Sequence, residues 1–220
     1  MKVSLVRSTI NPFRTIASAA AITRGITFGD FLENYEREKA ESIVEQCYES
    51  GHWSIFEFAD FDFEVEGASR VFETQAVRSR MSSYEWETGR RDQEYKPCSA
   101  HLPQPVLDSI QTGIGVYELD VEFERIKPEK ARYGLPQGVA RKGRIKKNFR
   151  NLLETAEVRL CQKTQEEYRD FMMQVKELVT DVDPFLGSLL QPKCKRLMYC
   201  NETEGCGAYL SKEIAKKLIL

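Results

Sequence analysis

Gln75-Ala76-Val77-Arg78-Ser79-Arg80-Met81-Ser82-Ser83-Tyr84-Glu85-Trp86-Glu87-Thr88-Gly89-Arg90-Arg91 is the densest run of chemistry-bearing side chains in the chain. Four arginines emerge at a predicted helix end and in the loop after it, among hydroxyls and one glycine. The planar guanidinium fork suits bidentate recognition of phosphate, and Ser or Thr hydroxyls and loop amides can complete such a site. On the residues alone, a solvated loop with surface ion pairs is the simpler reading of the same stretch.

Just upstream, Phe61, Phe63 and Val65 alternate with Asp62, Glu64 and Glu66, the pattern of a half-buried strand. Gly67 is expected to close that strand, and Ser69 to cap a helix through Val71, Phe72 and Val77. Further back, Val3 to Val6 reads as a short strand and the Ala-rich Ile16 to Ile22 as a packed helix. Asp30 to Ser50 is amphipathic at helical spacing, with Phe31, Tyr35, Ile43, Cys47 and Tyr48 as core positions and Gly51 as its C-terminal cap. The segment Gly51-His52-Trp53-Ser54-Ile55-Phe56-Glu57 follows, and a lone His beside Trp more often packs than reacts.

Downstream, residues 81–98 are polar, aromatic and irregular, which predicts a loop. Val106 to Ile126 is partly helical, interrupted at Gly113 and Gly115. Breaks fall at Lys127-Pro128 and Gly134-Leu135-Pro136. One long helix is expected from near Lys147 to about Asp181, with Pro184 and Gly187 after it. On such a helix Asn148, Thr155, Arg159 and Lys163 share a narrow stripe beside Leu152. Cations four residues apart repel slightly unless an anion lies near them, and a solvated face accounts for them equally well.

The 220 residues carry 41% apolar and 30% charged side chains, which suits one sizeable soluble domain or a domain with a short appendage. A net charge of −2 argues against generic nucleic-acid or membrane-surface binding, so an anion site must come from local arginine clustering. No apolar run approaches the ~20 residues of a membrane span. The N-terminal residues lack the apolar core of a signal peptide, and a cytoplasmic, reducing location is expected. The six cysteines are then thiols or metal ligands rather than a disulfide framework. Cys194, Cys200 and Cys206 are equally spaced, but no fourth ligand stands nearby in sequence, so free thiols and no metal are expected. The run Arg141-Lys142-Gly143-Arg144-Ile145-Lys146-Lys147-Asn148-Phe149-Arg150 is basic enough to contact a polyanion, which keeps a non-enzymatic nucleic-acid-binding protein as a reading of another class.

Taken in order, these blocks resemble the flavin-dependent thymidylate synthases. The pieces are His52, Ser54 and Glu57; Gln75, Arg78, Arg80, Ser83, Thr88 and Arg90; Ala131, Arg132, Leu135 and Pro136; and Asn148, Arg150 and Leu152. Arg159, Gln165 and Glu167 continue the last block at the family's spacing, and the resemblance covers roughly residues 15 to 180. The family's loop motif reads Arg-His-Arg-x-x-Ser-x-Asn-Glu-x-Ser-x-Arg. Here Ser79 replaces the His, Glu85 the Asn, Trp86 the Glu and Thr88 the Ser. Glu154 stands where the family has Asn, and Lys163 where it has His.

The resemblance implies an α+β fold with an antiparallel sheet and long helices, assembled as a homotetramer. Residues 1–185 would form the synthase-like domain and 186–220 a Cys-containing tail. FAD would bind at subunit interfaces, held by Ser54, Arg78, Ser79, Arg80, Asn148, Arg150 and Glu154, with Thr23, His52, Glu57 and Lys163 as further candidates. Gln75, Arg78, Glu85, Trp86, Glu87, Thr88, Gly89, Arg90 and Arg132 would hold the nucleotide, chiefly its phosphate. Arg159, the catalytic candidate, would meet the pyrimidine edge and stabilise charge developing on the ring. The implied reaction moves a one-carbon unit from methylene-tetrahydrofolate to C5 of dUMP, with NADPH reloading the flavin and no protein nucleophile. Because a carboxylate accepts from cytosine's amino group but offers nothing to uracil O4, Glu85 or Glu154 in the base pocket would favour methylation or hydroxymethylation of dCMP instead. No membrane and no nucleic-acid partner is expected on this reading.

Overall fold

Alternation at 61–66 is realised as a strand, and the sheet built on it frames half of the residues predicted for the site. The computed structural model describes residues 1–88, 94–98, 100–123 and 126–219. β1 (Lys2–Ser8) leads into three helices, α1 (Pro12–Ile22), α2 (Phe28–Glu33) and α3 (Arg37–Glu49). A 3-10 turn over Trp53–Phe58 precedes β2 (Asp60–Ser69), α4 (Arg70–Ala76) and β3 (Ser82–Trp86). Next come α5 (Gln104–Glu122), α6 (Pro128–Ala131), a 3-10 turn at Arg132–Gly134 and β4 (Ala140–Asn148). α7 (Phe149–Arg159), α8 (Glu166–Val182), α9 (Pro184–Leu189), α10 (Lys193–Leu197) and α11 (Lys212–Ile219) follow. The strands form one antiparallel sheet in the order β1-β2-β4-β3, in an α+β fold as expected. The chain divides into two compact units, residues 1–6 with 62–146 and residues 7–61 with 147–220.

In the first unit, Phe63 and Val65 of β2 are fully buried. Asp62 breaks the alternation and is buried too, because both its oxygens accept from Arg144, at 2.8 Å each. Gly67 does not end the strand. It takes a left-handed φ of +77° and pairing continues to Ser69, whose Oγ accepts from Phe72 N at 3.0 Å and caps α4 as predicted. β3 corrects the expected loop at 81–98. Its half-buried positions are Ser82, Tyr84 and Trp86 and its exposed ones Ser83 and Glu85, so hydroxyls stand where apolar residues would have revealed the period. α5 runs unbroken through Gly113 and Gly115. A Cβ on Gly113 would lie 2.5 Å from Pro136 Cγ, so this glycine serves close packing rather than a break. Tyr95, Ile110, Ile114, Tyr117, Leu135 and Val139 form the cluster beneath it.

In the second unit the helix expected over Asp30 to Ser50 is two helices. α2 buries none of its residues and ends where Asn34 leaves helical geometry, while α3 starts from an extended Glu36 and buries Ala40, Val44 and Tyr48. Gly51 (φ +78°) caps α3 in a complete Schellman arrangement, with His52 N donating to Cys47 O at 2.9 Å and Gly51 N to Tyr48 O at 3.3 Å. The long helix expected from Lys147 is also broken, between Arg159 and Glu166. There Thr164 Oγ1 donates to Val158 O at 2.7 Å and Arg169 to Gln162 O at 3.0 Å, satisfying carbonyls that a continuous helix would have used. Phe56 and Phe149 meet at 5.7 Å, and Phe171, Met172, Val175 and Val179 give α8 its fully buried face. Among the described residues no helix is long and apolar enough to cross a membrane.

Candidate active site

Within the first unit, α4 and β3 present the arginine motif. The last turn of α4 unwinds through Val77 N to Glu73 O, Arg78 N to Gln75 O and Ser79 N to Ala76 O, at 3.2–3.3 Å. Arg78 and Arg80 project from this end into solvent, and among the described residues neither forms an ion pair. A cation is favoured at a helix C-terminus, and two with no carboxylate partner leave their donor forks for an external anion. Gln75 is half-buried in the same turn. Tyr84 Oη donates to Ser79 O at 3.0 Å, and the Ser79 and Ser82 hydroxyls lie 3.4 Å apart, so the segment between helix and strand is tied to itself.

Trp86 has a packing role in addition to the predicted one. A Cβ on Gly143 would fall 2.3 Å from Trp86 Cε3, so the indole lies flat on the bare backbone of β4, with Phe72 edge-on at 6.1 Å. Its Nε1–H is buried and finds no acceptor among the described residues. Glu87 N donates to Lys142 O at 3.0 Å, and Glu87 O accepts from the buried Arg141, whose Nε lies 3.3 Å from Glu73 Oε2. Glu85 and Thr88 are exposed. Gly89 and Arg90 lie outside the described residues. Arg132 stands in the 3-10 turn after α6, donating to Glu129 O at 3.2 Å beside the Tyr133 ring.

The second unit gathers a different subset. Asn148 Oδ1 accepts from Asn151 N at 2.8 Å and caps α7, while Phe149 N donates to Ala59 O at 2.7 Å and joins that helix start to the end of the Trp53–Phe58 turn. This brings Glu57 to Arg150 at 2.6 Å, and Arg150 Nε reaches Glu154 one helical turn on at 3.0 Å. One guanidinium thus faces two carboxylates, which raise the Arg150 pKa, led by the hydrogen bond that Arg150 donates to Glu154. The three groups are each about 40% exposed, so such pairs contribute only about 0–1 kcal/mol apiece. In this geometry Glu154 pairs with an arginine of its own helix. Ser54 shares the turn with Glu57, and His52 is exposed just before it. Arg159 ends α7 with its guanidinium over the Tyr168 ring, 4.4 Å from the centroid, a cation–π contact. Thr23 caps α1 with Oγ1 donating to Ala20 O at 2.7 Å. Lys163 is not on the stripe. It sits in the linker after α7 and donates to Glu204 O.

The basic run at 141–150 is mostly β4, an inner strand of the sheet, and its last two residues begin α7. Arg141 and Lys147 are buried, and Arg144 pairs with Asp62. Lys147 is the residue that sequence reasoning missed. It is 1% exposed, donates to Asn151 Oδ1 at 2.8 Å, and burial pushes its pKa down to about 7. The signal was present as period two: Arg141, Ile145 and Lys147 occupy the buried register of β4. A cleft of about 440 Å³ in this unit is lined by Asn11, Arg14, Tyr35 and Arg37 and contains none of the predicted site residues.

Residues 4–185 match the sequence model of the family described as thymidylate synthase complementing protein. The flavin-dependent thymidylate synthase of Pyrococcus furiosus is 29% identical over 222 residues, covering 93% of this chain and 91% of that protein. The enzyme of the same name from Nitratidesulfovibrio vulgaris is 31% identical over 192 residues, covering 79% and 78%. Among solved structures, a flavin-dependent thymidylate synthase from Helicobacter pylori complexed with FAD and dUMP superposes with a TM-score of 0.75 over 87% of this chain and 100% of that one, at 16% identity.

Proposed function

Because the chain belongs to the thymidylate synthase complementing family, we propose that it is an FAD-dependent enzyme that transfers a one-carbon unit from methylene-tetrahydrofolate to C5 of dUMP, producing dTMP. The observation that carries the reading is the pair of guanidinium groups at the end of α4, Arg78 and Arg80, unpaired among the described residues in a chain whose family match spans them. The residues present suit the cofactor: two free cationic forks fit its phosphates, and the buried Trp86 N–H supplies a donor that needs an acceptor. When bound, FAD supplies the hydride, and NADPH restores it.

The chain's own residues position and neutralise charge. Arg78 and Arg80 hold FAD phosphate, and Asn148, Arg150, Glu57 and Ser54 build a second surface for the cofactor around the start of α7. Gln75, Thr88, Arg90 and Arg132 hold the nucleotide. Arg159, held over the Tyr168 ring, offers N–H donors to the pyrimidine edge and stabilises negative charge on the pyrimidine. A homotetramer, a cytoplasmic location and NADPH as reductant complete the reading. Exposed Val116 and Leu119 of α5, with Phe123 just after it, form an apolar surface that further copies of the chain can cover.

The test is to purify the chain, record the flavin spectrum, titrate it anaerobically with dUMP, and assay dTMP formation with NADPH and methylene-tetrahydrofolate. A colourless protein that takes up no FAD, or an FAD-loaded one that makes no thymidylate, overturns it. One observation supports dCMP as the substrate: Glu85 is exposed on β3 with no partner among the described residues, an acceptor where the family has an amide. On that second reading Glu85→Asn shifts preference from dCMP toward dUMP by about ten-fold or more. An unchanged ratio removes Glu85 from the base site.

A further inference from the structure

Arg14, in the first turn of α1, forms no ion pair among the described residues. Its Nε–H is buried and meets no acceptor among them. The Tyr35 ring, whose centroid lies 5.1 Å from the guanidinium carbon, offers only its π face. A buried donor left unmade is costly, and more so on a charged group, so this nitrogen calls for an acceptor.

Arg14 lines the cleft of about 440 Å³ in the second unit, with Ser8, Thr9, Asn11, Tyr35 and Arg37. Arg37 is the contrast. Its Nε donates to Glu41 at 2.6 Å, its terminal nitrogens donate to the two oxygens of Asp183 at 2.9 and 3.1 Å, and its guanidinium lies 3.7 Å over the Phe13 ring. Asp183 is the one carboxylate on the cleft wall among the described residues, and Arg37 and Leu186 N already occupy it. The uncancelled charge of the cleft is therefore that of Arg14. The start of α1 adds to it. Asn11, at a left-handed φ of +49°, lends no side-chain cap, and no carboxylate stands in the first turn. First-turn N–H groups have no partner within a helix and form the positive end of its dipole. Thr9 Oγ1 accepts from Asp60 N at 2.9 Å, which leaves the hydroxyl proton to donate.

We propose that this cleft binds a small organic oxyanion, its phosphate or carboxylate head held by Arg14 and the first turn of α1 and its body set against the Tyr35 ring. Phosphate and carboxylate present the same chemistry here, oxygens that accept charge-assisted hydrogen bonds from a guanidinium. A volume of about 440 Å³ lies within the roughly 300–1,000 Å³ of small-molecule sites and is far more than an inorganic ion fills. Ile10 and Phe13 add apolar wall to the aromatic one. The residues proposed to hold FAD and the nucleotide all lie elsewhere, so the site does not depend on the proposed reaction.

The test uses the full chain in chloride buffer, with phenyl phosphate and benzoate as probes. Phenylglyoxal modification, mapped by peptide mass spectrometry, reads each arginine separately. At saturation either probe should slow modification of Arg14 at least about five-fold, while the exposed Arg24, just past the other end of α1, reacts at an unchanged rate. The stronger protector identifies the head group. Benzamide, of similar shape but neutral, should not protect. Calorimetry on Arg14→Ala should lose one binding event of the wild-type chain, and Arg14→Lys should weaken that event at least about ten-fold, since an ammonium lacks the planar fork. Should a variant misfold, protection of Arg14 in the wild-type chain decides alone. Modification of Arg14 at the same rate with and without both probes, equal protection by benzamide, or an Arg14→Ala titration identical to that of the wild type overturns the proposal.

Discussion

Lys147 occupies a position where a permanent charge would be costly, and its pKa near 7 follows from burial that a neighbouring Glu154 only partly offsets. The sign of the effect on stability is fixed by linkage. The unfolded chain holds this proton up to the ordinary lysine value of 10.5, the folded chain only to about 7. Unfolding therefore takes up a proton in that window, and stability rises as pH increases through it. Lys147→Met should lose this gain, so chemical denaturation of the two proteins from pH 7 to 10 should diverge in slope by up to about 1.4 kcal/mol per pH unit. Parallel curves would show that the lysine is charged when folded. At the same scale, Arg78 and Arg80 differ from Arg150. The first two have no ion-pair partner among the described residues, whereas Arg150 already faces Glu57 and Glu154. Arg78→Ala or Arg80→Ala should each weaken FAD binding by about 1.5–3 kcal/mol, measured by flavin fluorescence, since each loses a charge-assisted contact. Arg150→Ala should weaken it less and also release two carboxylates. Equal losses at all three positions would mean that the Glu57–Arg150–Glu154 cluster opens when the flavin binds.

Elements place these residues through close contacts rather than through long hydrophobic runs. β3 sits beside β4 because Trp86 lies on Gly143, where any side chain would collide with the ring. Gly143→Ala should force the indole off that surface, at about 1–3 kcal/mol in urea unfolding. It should also lower affinity for the nucleotide, because Glu87 and Thr88 follow directly on the strand. A change below about 0.5 kcal/mol would show that the ring has room to move. The break between α7 and α8 matters in the same way. By ending α7 at Arg159, it sets that guanidinium against Tyr168 and sends Lys163 toward residue 204.

For the whole molecule, the exposed α5 surface and the proposed interface location of FAD predict that cofactor retention depends on assembly. Dilution should dissociate the proposed tetramer and release FAD over the same protein concentration range, followed by light scattering and flavin fluorescence together. A diluted monomer that keeps its flavin would place the whole cofactor site within one chain. The order and spacing of the arginine, Leu-Pro and Asn-x-Arg blocks determined the family and its α+β class from the sequence alone, because several short blocks in one order over much of the chain are specific where each by itself is not. The Ser69 cap, the Gly51 cap and the β2 alternation were equally legible, since each depends on neighbours a few residues apart. Only the tertiary structure decided that Glu154 pairs with Arg150, that Lys147 is buried and that Ser82–Trp86 is a strand. Each of those outcomes depends on a partner beyond the reach of local periodicity or on a bare backbone surface, and a one-dimensional pattern carries no record of which distant group will arrive.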